Sequence, residues 1–80
     1  MINKIHFGKR ISLLRKKSGL SQAVLAEKLG VTSQAVSKWE CGNAIPDIDL
    51  LLELSHIYHI SINEMLEDTD LIMKITGKKS

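Results

Sequence analysis

The chain has 80 residues, 44% of them hydrophobic, with only one each of Phe, Trp, Tyr, Cys and Pro. That length allows a single domain near the lower end of what folds without staples, built on an aliphatic core with no internal disulfide and with little room to enclose a substrate. The formal charge of +2 is modest, but it is unevenly placed: residues 1–42 carry eight basic against two acidic side chains, a net +6, whereas residues 43–73 carry seven acidic side chains and no Lys or Arg before Lys74, Lys78 and Lys79. One half can meet a polyanion that the other repels.

No apolar run approaches the roughly 20 residues that span a bilayer, and the opening MINKIHFGKR lacks the apolar centre of an export signal. A cytoplasmic chain with no membrane partner is the expectation, in keeping with a lone cysteine.

Taken in chain order, Phe7, Ile11 and Leu14 recur at i, i+4 and i+7 ahead of Gly19, which predicts a first helix from about Lys4 to Ser18 with a basic outer face. Ser21 is placed to cap a second helix over about Gln22 to Leu29, with Leu25, Ala26 and Leu29 inward, and Gly30 then suits a left-handed turn. Thr32 can cap a third helix from Ser33 to about Glu40, because its hydroxyl can accept from the N–H of Gln34 or Ala35. Two short helices joined by a tight glycine turn have the layout of a helix-turn-helix unit. Gly42, Asn43 and Pro46 punctuate a loop before a fourth helix, capped by Asp47 and carrying Leu50, Leu51, Leu54, Ile57 and Tyr58. Ser61 and Glu64 form an S-x-x-E capping box that opens a short fifth helix reaching about Leu66. No strand is predicted, and the tail EDTDLIMKITGKKS has no clear helical cap.

The third predicted helix, SQAVSKWE, sets Val36 and Trp39 behind a row of Ser33, Gln34, Ser37 and Lys38. A solvated face would be served by Glu and Lys alone; this row offers hydroxyl, amide and ammonium heads. Lys38 can donate to the N7 and O6 acceptors of guanine, Gln34 can bond bidentately to the N6/N7 edge of adenine, and Ser33 and Ser37 can bond a base or a phosphate. These four are the candidate base readers. Gln22 opens the second helix, where its amide and the unpaired N–H groups of the first turn can hold a phosphate oxygen. Thr32 and Asn43 are further phosphate candidates, as are Lys9 and Arg10 provided that the first helix leans toward the nucleic acid.

The stretch GKRISLLRKKSGLSQAVLAEKLGVTSQAVSKWECGNAIPDIDLLLELSHIYHISINEML resembles the Cro/C1-type, Xre-like helix-turn-helix DNA-binding domains. The features that carry the likeness are Leu14-Arg15, Gly19 to Gln22, Leu25-Ala26, Gly30 to Thr32, Val36 to Glu40, Gly42 and Pro46, and it extends from Lys4 to Leu66. The resemblance implies an all-α, compact five-helix domain like that of lambda repressor, with the helix-turn-helix at helices 2 and 3. It further implies operator DNA as partner, homodimerisation, helix 3 in the major groove, and a phosphate contact from Gln22. It also implies that Arg15 and Glu40 form a structural ion pair pinning the first helix to the end of the third. The DNA-binding domain is assigned to residues 1–67, and residues 68–80 to a tail that is partly ordered or contributes to a dimer.

His6, His56 and His59 do not supply the four-ligand spacing of a metal site, and Cys41 has only Lys38 nearby to activate it. No glycine-rich phosphate loop and no nucleophilic constellation is present, so the expectation is a chain with no cofactor and no enzymatic activity. The functional expectation is a sequence-specific transcriptional regulator, a repressor in particular. The alternative is an antitoxin-type protein whose acidic half or LIMKI segment holds a protein partner while the third helix binds DNA.

Overall fold

The computed structural model describes residues 3–66 and contains five helices in chain order: α1 (Lys4–Lys17), α2 (Gln22–Leu29), α3 (Ser33–Glu40), α4 (Ile48–Tyr58) and α5 (Ile62–Leu66). Among the described residues there is no strand. The expectations for the tail at 68–80 lie outside the described residues.

Each helix starts where a side chain can satisfy an otherwise orphaned N–H. Asn3 accepts from the N–H groups of Ile5 and His6, Ser21 from Val24, Thr32 from Ala35 and Asp47 from Leu50, all at 3.0–3.1 Å. At α5 the capping box closes in both directions: Ser61 N–H donates to Glu64 Oε1 and Glu64 N–H donates to Ser61 Oγ, both at 3.0 Å.

The four longer helices also end alike. Leu20 N–H reaches back to Arg15 O, Val31 to Ala26 O, Asn43 to Lys38 O and Ile60 to Ser55 O. That six-residue return requires the residue just before each donor to enter the left-handed region. Gly19, Gly30 and Gly42 do so at φ of 72–80°, and His59 does so at φ 56°. His56 therefore lies within α4 and His59 just beyond its last turn. His59 is the left-handed residue that closes α4.

The core is drawn from all five helices: Phe7 and Ile11 of α1, Leu25, Ala26 and Leu29 of α2, Val36 and Trp39 of α3, Leu51 and Leu54 of α4, and Met65 of α5. Complete burial of one such aliphatic or aromatic side chain stabilises the fold by about 1.5–3 kcal/mol before the opposing loss of chain entropy is counted. Leu14, predicted on the inward stripe of α1, is only half-buried.

Gly8 sets how closely α1 approaches α3. A Cβ at that position would lie 2.4 Å from the Trp39 carbonyl oxygen and 2.7 Å from that of Glu40. No side chain larger than hydrogen fits there without separating the helices. Gly8, Ser12 and Arg15 fall along one face of α1, so this face lies against the C-terminal end of α3.

Candidate nucleic-acid interface

At 100° per residue, Ser33, Ser37, Gln34 and Lys38 occupy one continuous arc of about 140° around α3. Gln34 and Lys38 are exposed and Ser33 and Ser37 half-buried, while Val36 and Trp39 on the opposite side are buried. The helix is thus clamped from behind and open in front. Its open side is short of internal commitments: among its side chains, only a 3.4 Å contact from Ser33 Oγ to Gln34 Oε1 is seen. Thr32 holds the start of the helix through Ala35 N–H, so its hydroxyl oxygen is engaged as a cap.

Behind the open side lies a polar network. Arg15 Nε donates to Glu40 Oε2 at 2.6 Å and Arg15 Nη2 to Glu40 Oε1 at 3.0 Å, in a bidentate pair whose side chains are only 12% and 7% exposed. A third guanidinium nitrogen, Nη1, donates to the Leu20 carbonyl at 2.9 Å, so Arg15 joins α1, the turn before α2 and the end of α3. Gln22 Nε2 donates to Glu40 Oε1 at 3.0 Å. Burial pushes the Glu40 carboxyl up, but hydrogen bonds from Arg15, Gln22 and Ser12 together with the Arg15 charge outweigh it and hold the group below its ordinary 4.5. The hydrogen bond from Arg15 to Glu40 raises the guanidinium above its already high range, against a smaller opposing effect of burial.

The phosphate candidates are not all in one place. Gln22 sits at the first position of α2 beside Glu40, and Lys9 lines a shallow groove with Ser12, Leu13, Lys16 and Glu40. Arg10 is turned elsewhere, its Nη1 donating to the Glu64 carbonyl of α5. Asn43 is exposed after α3, with its N–H committed to the Lys38 carbonyl. Cys41 is an exposed free thiol at the end of α3.

Two contributors escaped sequence reading: Ser12 supports Glu40, and Gly8 permits the close approach. The small residues at 8 and 12 on the face leading to Arg15 were a usable signal. The buried Tyr58 hydroxyl has no hydrogen-bond partner among the described residues. Among the described residues, no group of three or more His, Cys, Asp or Glu side chains could hold a metal ion, and no helix is long and apolar enough to cross a membrane.

A capped helix with a polar outer arc, set by a glycine turn against a second short helix and braced by the first, defines the helix-turn-helix class of DNA-binding domain. A helix-turn-helix family model matches residues 11–65, and the chain belongs to the Cro/C1-type helix-turn-helix family. It is 35% identical over 68 residues to the HTH-type transcriptional activator BcrR of Enterococcus faecalis, covering 85% of this chain and 33% of that protein. It is 36% identical over 75 residues to the HTH-type transcriptional regulator ImmR of Bacillus subtilis, covering 84% of this chain and 59% of that protein. The chain therefore spans about one third to three fifths of these relatives. Among solved structures, it is similar to the P22 c2 repressor in complex with a synthetic operator, with a TM-score of 0.72, 36% identity, and coverage of 76% of this chain and 92% of that one. It is also similar to the restriction-modification controller protein C.AhdI of Aeromonas hydrophila, with a TM-score of 0.70, 30% identity, and coverage of 80% and 93%.

Proposed function

We propose that this chain is a sequence-specific DNA-binding regulator of transcription that reads the major groove with α3. The observation that carries the reading is the open arc of Ser33, Gln34, Ser37 and Lys38, backed by buried Val36 and Trp39. Likeness to the P22 c2 repressor in complex with a synthetic operator supports DNA as the partner. Lys38 and Gln34 are the main base readers, with Ser33 and Ser37 beside them; Gln22, Thr32, Asn43 and Lys9 face the backbone, and Arg10 is the least favoured because it is engaged at α5.

The DNA-binding unit lies within residues 1–67 and acts as a homodimer on an operator with two-fold symmetry, with half-sites about one helical turn apart. A domain seated on promoter DNA blocks other proteins from the same duplex, so the role is repression, exerted in the cytoplasm through binding. Lys38→Ala tests the reading residue by residue. It should cost about 1–3 kcal/mol in binding and relax preference at one base position, whereas Gln22→Ala should weaken all sequences alike. Equal, uniform losses from both variants would remove the base-reading role from Lys38.

A further inference from the structure

Glu40 is an unexpected neighbour for a surface that meets phosphates, because a carboxylate repels them. Its oxygens are nonetheless fully partnered inside the protein. Oε2 accepts from Arg15 Nε, and Oε1 accepts from both Arg15 Nη2 and Gln22 Nε2. With its side chain 7% exposed, Glu40 has no route to a ligand of its own. What it does reach is the amide at the first position of α2.

We propose that Glu40 is a positioning residue for DNA recognition, which fixes the Gln22 side chain so that its remaining amide N–H faces a backbone phosphate. The inference rests on the DNA-binding reading above. An amide has a nitrogen with two N–H groups about 120° apart, and an oxygen that would repel a phosphate. Anchoring one N–H on Glu40 settles which end of the amide is presented and the direction of the second N–H, which joins the first-turn N–H groups of α2. Arg15 in turn holds Glu40 in place from α1. The ion pair that fastens α1 to α3 thereby orders the phosphate contact before DNA arrives, and a side chain ordered in advance loses less freedom on binding.

The consequence is a coupling between Glu40 and one phosphate that it never touches. In Glu40→Gln the single carbonyl oxygen is claimed by the charged guanidinium, the stronger partner, and the amide nitrogen introduced by the substitution is left facing Gln22. Gln22 then has no acceptor to align it. The test uses an operator duplex recovered by selection, with its phosphates replaced one at a time by neutral methylphosphonate, and wild type, Glu40→Gln, Gln22→Ala and the double variant. Wild type should lose roughly tenfold in affinity at the phosphate held by Gln22, the factor expected for one ordered polar contact. That penalty should vanish in Gln22→Ala and equally in Glu40→Gln, with no further loss in the double variant, while penalties at other phosphates persist. A uniform loss across all duplexes in Glu40→Gln, with the penalty at the Gln22 phosphate intact, would overturn the positioning role and leave Glu40 a purely structural residue. Should Glu40→Gln not fold, the side-chain amide signals of Gln22 in the free wild-type protein decide the matter. One of its two protons should be shifted downfield and protected from exchange, and a pair exchanging like a free amide would overturn the proposal. Failure of wild type to bind any duplex would instead overturn the DNA-binding reading, and that outcome is separable because the amide spectrum needs no DNA.

Discussion

Replacing Gly8 with Ala sets two opposed effects against each other. Alanine in a helix interior favours folding by about 0.5–1 kcal/mol relative to glycine. The added Cβ, however, would stand 2.4 Å from the Trp39 carbonyl oxygen, 2.7 Å from that of Glu40 and 2.9 Å from the Glu40 carbonyl carbon. All three are backbone atoms at the end of a helix fixed by the return bonds of Gly42 and Asn43, so no rotamer change relieves the contact. Helix α1 must retreat by about half an ångström or more, loosening Phe7 and Ile11 in the core and the grip of Arg15 on Glu40. Overpacking of this kind costs about 1–3 kcal/mol, more where backbone opposes backbone, so the upper end applies and the net loss should be about 2 kcal/mol. For a domain of this size, that lowers the melting temperature by roughly 8–16 °C. Gly19→Ala is the control: its φ of +74° carries a left-handed cost, but nothing lies within 4 Å of the new methyl, so about half the effect is expected. Thermal melts followed by far-ultraviolet circular dichroism measure both. A Gly8→Ala protein that melts at or above the parent temperature would refute the close approach and the reasoning built on it.

Arg15→Ala leaves the half-buried Glu40 carboxylate with Gln22 and Ser12 but no charged partner, so the cost in urea unfolding should fall below the roughly 3–5 kcal/mol of a fully buried pair, at about 2 kcal/mol; loss of DNA binding at unchanged stability would contradict its bracing role. The Glu40 carboxyl is held below its ordinary 4.5, so its contribution is complete above that pH and is lost as pH falls through the lower folded value. Acid titration of the melting temperature should therefore show a decline beginning below about 4.5 that is smaller in Glu40→Gln, and an identical profile in both proteins would be inconsistent with the ion pair. His59→Gly relieves a left-handed non-glycine residue at φ 56° and should gain about 0.5–1 kcal/mol, measured as a higher urea midpoint; a lower midpoint would mean that the histidine side chain holds the end of α4.

Helix boundaries were legible wherever they are written in a few adjacent residues. Ser21 and Gly30 bracket α2, Thr32 opens α3, and the Ser61–Glu64 box opens α5, because caps act over three or four positions. The apolar stripe of α1 was legible at Phe7 and Ile11 but overstated at Leu14, which falls at the margin of the buried face. The end of α4 was not legible, since a histidine stands where glycine closes the other three long helices. The open polar arc of α3 could be drawn from spacing alone. Contacts joining residues far apart in the chain could not be: Gln22 on Glu40, Arg10 on the Glu64 carbonyl, and the fit of Gly8 against α3 all depend on how helices cross, which no local periodicity encodes.

The most direct test of the account is selection of bound duplexes from a random DNA library at about 150 mM salt, where non-specific electrostatic attachment is weak and base-reading contacts survive. An inverted repeat with half-site centres about one helical turn apart should be recovered, and its preferred bases should change when Lys38 or Gln34 is replaced. Recovery of no common motif, or of a motif indifferent to both substitutions, would contradict sequence reading by α3.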